Sequence, residues 1–259
     1  MNKNMIFLAG LHRSGTSLLH EIVRSHPLVS GFTNTGVPED EGQHLQTVFP
    51  TARAFGGPGR FAYDPGASMN ETHSLANSDS ARLLLEQWLP YYDASKPYFV
   101  EKSPPNLIRT RFLQHLFPES YFIAILRHPI AVSYASKSKH WCSEKDALEL
   151  IKHSLHAYGL FYRDIPCLNR LFVLRYEDFV RSPQQVIDAI FHFLDLPTIP
   201  LSHDIRGKVN ESYFRQWLKE KDELVDSIQA EELERALNNF GYSLRSADET
   251  ISVPWIRSF

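Results

Sequence analysis

The chain has 259 residues, 43% hydrophobic and 22% charged, with a formal net charge of −3 at pH 7. That is enough for one large α/β domain, and the wrong balance for a duplex nucleic-acid partner, whose binders are strongly basic. Two cysteines, Cys142 and Cys167, at no metal-ligand spacing argue against a metal cluster or a disulfide framework and for a reducing, cytoplasmic setting.

In chain order, residues 5–9 read as a buried strand. Residues 16–25 read as a helix with Leu18, Leu19, Ile22 and Val23 on one face, ended by His26-Pro27. From 31 to 74 the periodicity breaks down under Gly36, Gly42, Gly56, Gly57, Gly59 and Gly66 and Pro38, Pro50, Pro58 and Pro65. A loop-rich span of this length inside a domain is usually functional, and it reads as a lid with a short helix over 41–49. A helix is predicted over 75–89, a short strand over 98–101 and, after Pro104-Pro105, a helix over 106–117. The run Tyr121-Phe122-Ile123-Ala124-Ile125-Leu126 is the clearest buried strand, followed by Arg127-His128-Pro129 and a helix to about residue 139. Leu148, Ile151, Leu155, Tyr158, Tyr162 and Ile165 mark an amphipathic helix over 147–165. A strand over 171–174 precedes a helix over 182–194, with Ser182 as cap and Pro183 at its first position. Helices over 212–227 and 230–239 close the chain. No run of about 18 apolar residues and no signal-type segment is present, so no membrane span is expected. Alternating strands and helices predict a single α/β domain with a mostly parallel sheet covered on both faces.

The chemistry starts at Gly10-Leu11-His12-Arg13-Ser14-Gly15-Thr16-Ser17, in the order strand, glycine loop, helix. The glycine spacing is that of a phosphate loop, but Thr16 stands where an ATP-binding loop carries Lys. Arg13 places a planar, permanently charged fork inside the loop instead, suited to an oxyanion group. The amides of Ser14, Gly15, Thr16 and Ser17 add donors at the helix N-terminus. His12 lies inside the loop and is a further ligand candidate.

This loop resembles that of the sulfotransferases that use 3′-phosphoadenosine 5′-phosphosulfate (PAPS), in the branch with Arg-Ser-Gly-Thr loops that includes bacterial, carbohydrate and tyrosylprotein enzymes. Three further segments match in order. Arg127 followed by a serine-bearing helix looks like the family's 3′-phosphate signature. Ala135 occupies the place a relative's Ser takes, which leaves Ser136 and Ser133 as candidates. Leu174-Arg175-Tyr176-Glu177-Asp178-Phe179 is similar to an element whose Tyr lies beside the cofactor, so the resemblance makes Tyr176 a nucleotide contact, with Glu177 and Asp178 structural. Glu101-Lys102-Ser103-Pro104 looks like a segment whose Lys sits near the transferred group. Arg206-Gly207-Lys208-Val209-Asn210 with Tyr213 and Trp217 is a candidate for closing over the cofactor.

The resemblance implies a single domain over 1–259 with a P-loop-kinase-like sulfotransferase fold, residues 31–74 as acceptor lid and 206–259 as cofactor-closing helical segment. It implies in-line sulfuryl transfer from PAPS, with PAP as product and no metal required, to a hydroxyl or amine of a small-molecule or carbohydrate acceptor. Arg13 and Lys102 are the candidates for stabilising transition-state charge. The base is sought in Pro38-Glu39-Asp40-Glu41-Gly42-Gln43-His44: Glu41 or Glu39 by analogy, His44 as rival. Three clustered carboxylates are expected to raise one another's pKa. Two other functions stay open at this point, an ATP–Mg²⁺ small-molecule kinase and a non-catalytic nucleotide-binding protein of the same fold. The acceptor's identity and the oligomeric state are not encoded legibly.

Overall fold

The computed structural model describes residues 3–205, 207, 209–247, 250–257 and 259. Five parallel strands form one sheet in the order β2-β3-β1-β4-β5. They are β1 (Asn4–Ala9), β2 (Val29–Gly31), β3 (Tyr98–Lys102), β4 (Tyr121–Leu126) and β5 (Leu171–Arg175). Their apolar runs are continuous because both faces are covered. Ile6 and Leu8 of β1, with Ile123 and Ile125 of β4, pack on Leu19, Ile22 and Val23 of helix α1 (Thr16–Ser25) and on Val186, Ile187 and Ile190 of α7 (Pro183–Phe193). Met5 and Phe7 point the other way, with Phe99 and Phe122, onto Leu84 and Trp88 of α2 (Ser78–Trp88) and Phe112 and Leu116 of α3 (Thr110–Leu116). Towards the strand ends this second face is covered by α4 (Pro129–Lys137), α5 (Ala147–Asp164), α8 (Val209–Leu224) and α9 (Ser227–Asn238). A short helix, α6 (Tyr176–Arg181), follows β5 directly.

Chain direction reverses about β1: β1 leads out towards β2, whereas the neighbouring β4 leads the other way to β5. Ligands of open parallel sheets bind at such a switch point, beyond the carboxyl ends of the strands. Among the described residues no helix is long and apolar enough to cross a membrane.

The single-domain, α/β, parallel architecture is the one expected, and most element bounds shift by a few residues only. The edge strand β2 was not foreseen, because three residues are too few to show a period. The helix expected over 41–49 does not form. In its place are 3-10 turns at Pro38–Asp40 and Gly42–His44. Glu39 and Asp40 have positive φ (53° and 48°). The Gly42 and Gln43 amides donate to the side chains of Glu101 and Ser103 instead of to helical carbonyls. The helix expected over 106–117 splits into a 3-10 turn, Pro104–Ile108, and α3, around a non-helical Arg109 (φ −132°). Ser182 precedes α7 as expected, but its side chain makes no capping hydrogen bond. The α9 cap lies earlier than expected, where Asp226 and Gln229 form a reciprocal capping box.

The irregular span is built into the body of the molecule. Phe32 and Phe49 join the core beneath Trp88, and Phe61 joins the core beneath α5, whereas Tyr63 stays 47% exposed.

Candidate active site

The phosphate loop leaves β1 at Gly10, where a Cβ would lie 2.6 Å from the Ile125 carbonyl oxygen of β4. A turn closed by the Ser14 amide on the Leu11 carbonyl (3.0 Å) follows. Arg13 takes up left-handed backbone geometry (φ 68°) and Gly15 does the same at the mouth of α1 (φ 93°). For a non-glycine residue that geometry costs about 1–3 kcal/mol, a strain typical of functional loops. A Cβ on Gly15 would meet the Tyr176 ring at 2.7 Å, so Tyr176 rests on the loop itself. The Arg13 side chain is exposed, while Ser14 and Thr16 are buried. The His12 ring packs against Phe61 (5.9 Å) and Trp141 (6.1 Å). Burial first, then His153, Lys102, His44 and Lys145, lower its pKa to about 3. It therefore offers a neutral ring, not a charge, at neutral pH.

Arg127 leaves the end of β4 immediately beside this loop. Its Nη1 donates to the Arg13 carbonyl (2.6 Å), and its Nε and Nη2 donate to Asn210 Oδ1 (3.0 and 2.8 Å). The guanidinium stacks on Tyr176 (4.1 Å to the ring centre), with Tyr213 farther off (5.6 Å). Tyr158 of α5 fixes the main chain at this point, donating to the Arg127 carbonyl (2.7 Å) and accepting from its amide (3.1 Å). One cation is thereby held at 5% exposure against the main chain of the loop that carries the other.

A second centre lies at the end of β3. Lys102, 1% exposed, donates to the Glu39 carbonyl (2.8 Å) and pairs with Glu41 Oε1 (3.4 Å). Glu41 Oε2 accepts from Gln43 Nε2 (2.5 Å) and lies 3.7 Å from His44 Nε2. Burial raises the Glu41 pKa, an effect that Lys102 and Gln43 moderate. Burial, then Lys102, lowers that of His44. Glu39 is exposed and accepts from the Ser17 hydroxyl at the start of α1 (3.2 Å), which ties this segment to the phosphate loop. The three carboxylates do not act as one acidic patch. Asp40 is turned away to accept from the Asn34 and Thr35 amides and the Thr35 hydroxyl. Burial raises its pKa, but those hydrogen bonds outweigh it and the net shift is downward.

Beneath this centre, Glu101 holds the segment in place. Its Oε1 accepts from the Gly42 amide (3.1 Å) and the Ser103 hydroxyl (2.6 Å), and its Oε2 accepts from Asn106 Nδ2 (2.5 Å). A Cβ on Gly42 would lie 2.5 Å from Glu101 Oε1, so only glycine lets the chain approach this closely. Burial lifts the Glu101 pKa to about 7 against the pull of Ser103, Asn106 and Lys102.

The structure thus brings together Arg13, Ser14, Gly15, Thr16, Ser17, Tyr176 and Arg127 on one side, and Glu39, Glu41, His44 and Lys102 on the other, bridged by Ser17 and Glu39. Two serines sit apart from Arg127's hydrogen bonds. Ser133 donates to the Ala147 carbonyl between α4 and α5 (2.8 Å). Ser136 lines a cavity of about 10 Å³ with Leu11, His12 and His153. Arg206 and Lys208 lie outside the described residues. Sequence reasoning missed Asn210 as a partner of Arg127 and Glu101 as the anchor of Gly42. The signal for the first was the helical i, i+3 spacing of Asn210 and Tyr213; for the second, a carboxylate inside an apolar strand. Among the described residues no group of three or more His, Cys, Asp or Glu side chains is placed to hold a metal ion.

Fold and site define a parallel α/β protein with a glycine loop at its switch point, in which Thr16 stands at the position of an ATP-loop lysine and Arg13 adds a cation earlier in the loop. The sequence model of the Sulfotransferase family matches residues 5–200, and the chain belongs to that family. A protein of Aquifex aeolicus (strain VF5), described as uncharacterized, is 23% identical over 205 residues, which is 76% of this chain and 26% of that protein. The chain spans about a quarter of the length of that curated relative. Among solved structures, the sulfotransferase domain from the curacin biosynthetic pathway superposes with a TM-score of 0.57 at 17% identity, over 93% of this chain and 99% of that one. The sulfotransferase domain from the Synechococcus PCC 7002 olefin synthase gives 0.51 at 20% identity, over 94% and 96%. At these identities the likeness establishes the fold.

Proposed function

We propose that the chain is a PAPS-dependent sulfotransferase acting on a hydroxyl of a small-molecule or carbohydrate acceptor. The observation that carries this reading is the hydrogen bond from Arg127 to the Arg13 main chain. It sets a buried cation beside a phosphate loop that lacks the lysine of ATP-binding loops, an arrangement for an anion with two charged ends. The donor set fits PAPS: loop amides and Arg13 for the 5′-phosphosulfate, Arg127 for the 3′-phosphate, and the Tyr176 face for the nucleoside. When bound, PAPS supplies the sulfuryl group.

The chain's own residues then have distinct tasks. Arg13, Lys102 and the loop amides are the cations and donors that would meet the oxygens on which charge develops. Glu41 takes the acceptor's hydroxyl proton on a carboxylate oxygen. Its raised pKa makes it a stronger base than an exposed carboxylate. Glu101 and Gly42 fix the backbone next to it, and His44 sets a neutral ring beside Oε2. Residues 31–74 form the acceptor side, and residues 206–259 the side that closes on the nucleotide. The free thiols of Cys142 and Cys167 suit a cytoplasmic setting.

A screen of hydroxyl acceptors with radiolabelled PAPS tests the reading, comparing wild type with Glu41→Gln. Glu41→Gln is expected to lose about 10²–10⁴-fold in transfer rate while still binding PAP. Undiminished transfer by Glu41→Gln, with loss in His44→Gln or Glu39→Gln, would move the base to one of those residues. Phosphoryl transfer from ATP–Mg²⁺ would replace the reading with a kinase.

A further inference from the structure

Arg127 is fixed by three hydrogen bonds, and all three go to neutral oxygens. The nearest acid in its network is Glu177, at the start of α6, and the Asn210 amide stands between the two. Asn210 Oδ1 faces the guanidinium, while its Nδ2 donates to Glu177 Oε1 (2.7 Å). The cation on one side and the carboxylate on the other dictate which way the amide points, since the flipped form would set donor against donor and acceptor against acceptor. Glu177 is satisfied in its own right, accepting from the His128 amide (3.0 Å) and the Tyr242 hydroxyl (3.3 Å). Buried arginine is ordinarily paired directly with a carboxylate. Here an amide does the holding, so the guanidinium keeps its full charge. Among the described residues its two remaining N–H groups have no acceptor.

We propose that Asn210 is a positioning residue for recognition of the donor's 3′-phosphate: it orients Arg127 towards that group without neutralising it. The inference rests on the PAPS reading above. It assigns α8 a role in the site as well as in the core. Tyr213, one helical turn on, presents its ring to the same guanidinium, while Phe214 and Trp217, on the same face of the helix as Asn210, are buried in the core. An aspartate at this position would cancel the Arg127 charge and stand against Glu177.

The test is calorimetric titration of wild type, Asn210→Ala and Asn210→Asp with two probes, PAP and adenosine 5′-phosphate, which differ in the 3′-phosphate. Wild type is expected to prefer PAP. Asn210→Ala is expected to lose about 10–100-fold of that preference with adenosine 5′-phosphate affinity unchanged, and Asn210→Asp to lose more. Equal weakening of both probes, or a preference left intact, would make Asn210 a structural tie of α8 only and overturn the proposal. Wild type binding neither probe would overturn the PAPS reading and this proposal together, a different pattern. If Asn210→Asp does not fold, Asn210→Ala and Asn210→Ser carry the same comparison.

Discussion

Lys102 and Glu41 form a nearly buried ion pair at 3.4 Å, and the sign of their coupling makes it testable. Burial raises the Glu41 pKa and Lys102 pulls it down. Lys102→Met removes the opposing pull, so the Glu41 pKa rises further and less of this proposed base is ionised at a given pH. The acid limb of the pH–kcat/KM profile is therefore expected to move to higher pH in Lys102→Met, and an unmoved limb would separate Glu41 from the proton transfer. The variant also leaves a buried carboxylate unpaired, at a cost of about 3–5 kcal/mol, measurable by urea denaturation. At this scale the sequence was legible where chemistry dictates residue type at fixed spacing: Arg13 within the loop and Arg127 at a strand end. It was not legible for Asn210 or Glu101, whose partners Arg127 and Gly42 lie 83 and 59 positions away in the chain.

Among elements, the irregular span from 31 to 74 is held by side chains. Glu101 anchors it at Gly42. Arg109 anchors it farther along, donating from Nε to the Ala67 carbonyl (2.9 Å) with its guanidinium near the Phe49 (5.0 Å) and Phe55 (5.8 Å) rings. Arg109 is 1% exposed, and its Nη1 and Nη2 have no partner among the described residues. Burial lowers its pKa to about 10. Arg109→Ala is expected to destabilise the protein by about 2–4 kcal/mol through lost packing. Arg109→Met, which keeps the volume and removes the unpaired donors, is expected to be near neutral or stabilising. Equal losses in the two variants would contradict this account.

Glu101 gives a pH test of the same element. Its folded pKa, about 7, exceeds its ordinary value of 4.5, so the native state binds the proton more tightly than the unfolded chain. Its stabilising contribution is full below about pH 4.5 and is lost as pH rises through 7. The stability difference between wild type and Glu101→Gln is expected to shift against wild type over that window by on the order of 3 kcal/mol; a flat difference would show that Glu101 is ionised throughout. The four longer strands were readable because burial on both faces demands continuous apolar runs. This span was not, because its amides mostly close isolated turns on nearby carbonyls while those of Gly42, Gln43, Thr47 and Ala62 bond to distant side chains, which leaves no sustained period.

On the scale of the whole molecule, the parallel sheet sends the ends of β1, β3, β4 and β5 to one edge. Loop, Lys102, Arg127 and Tyr176 therefore converge although they are spread over more than half of the chain. The element order made that edge predictable, but not the depth at which Arg127 and Lys102 are buried. If the edge is a PAP site, binding must stabilise the fold, by about 2.7 kcal/mol at a hundredfold excess over Kd. The most direct measurement is calorimetric titration of PAP, without metal, into wild type and Arg127→Ala. The account predicts binding by wild type and its loss in Arg127→Ala with the protein still folded. Equal binding by both, or binding of ATP–Mg²⁺ in place of PAP, would contradict it.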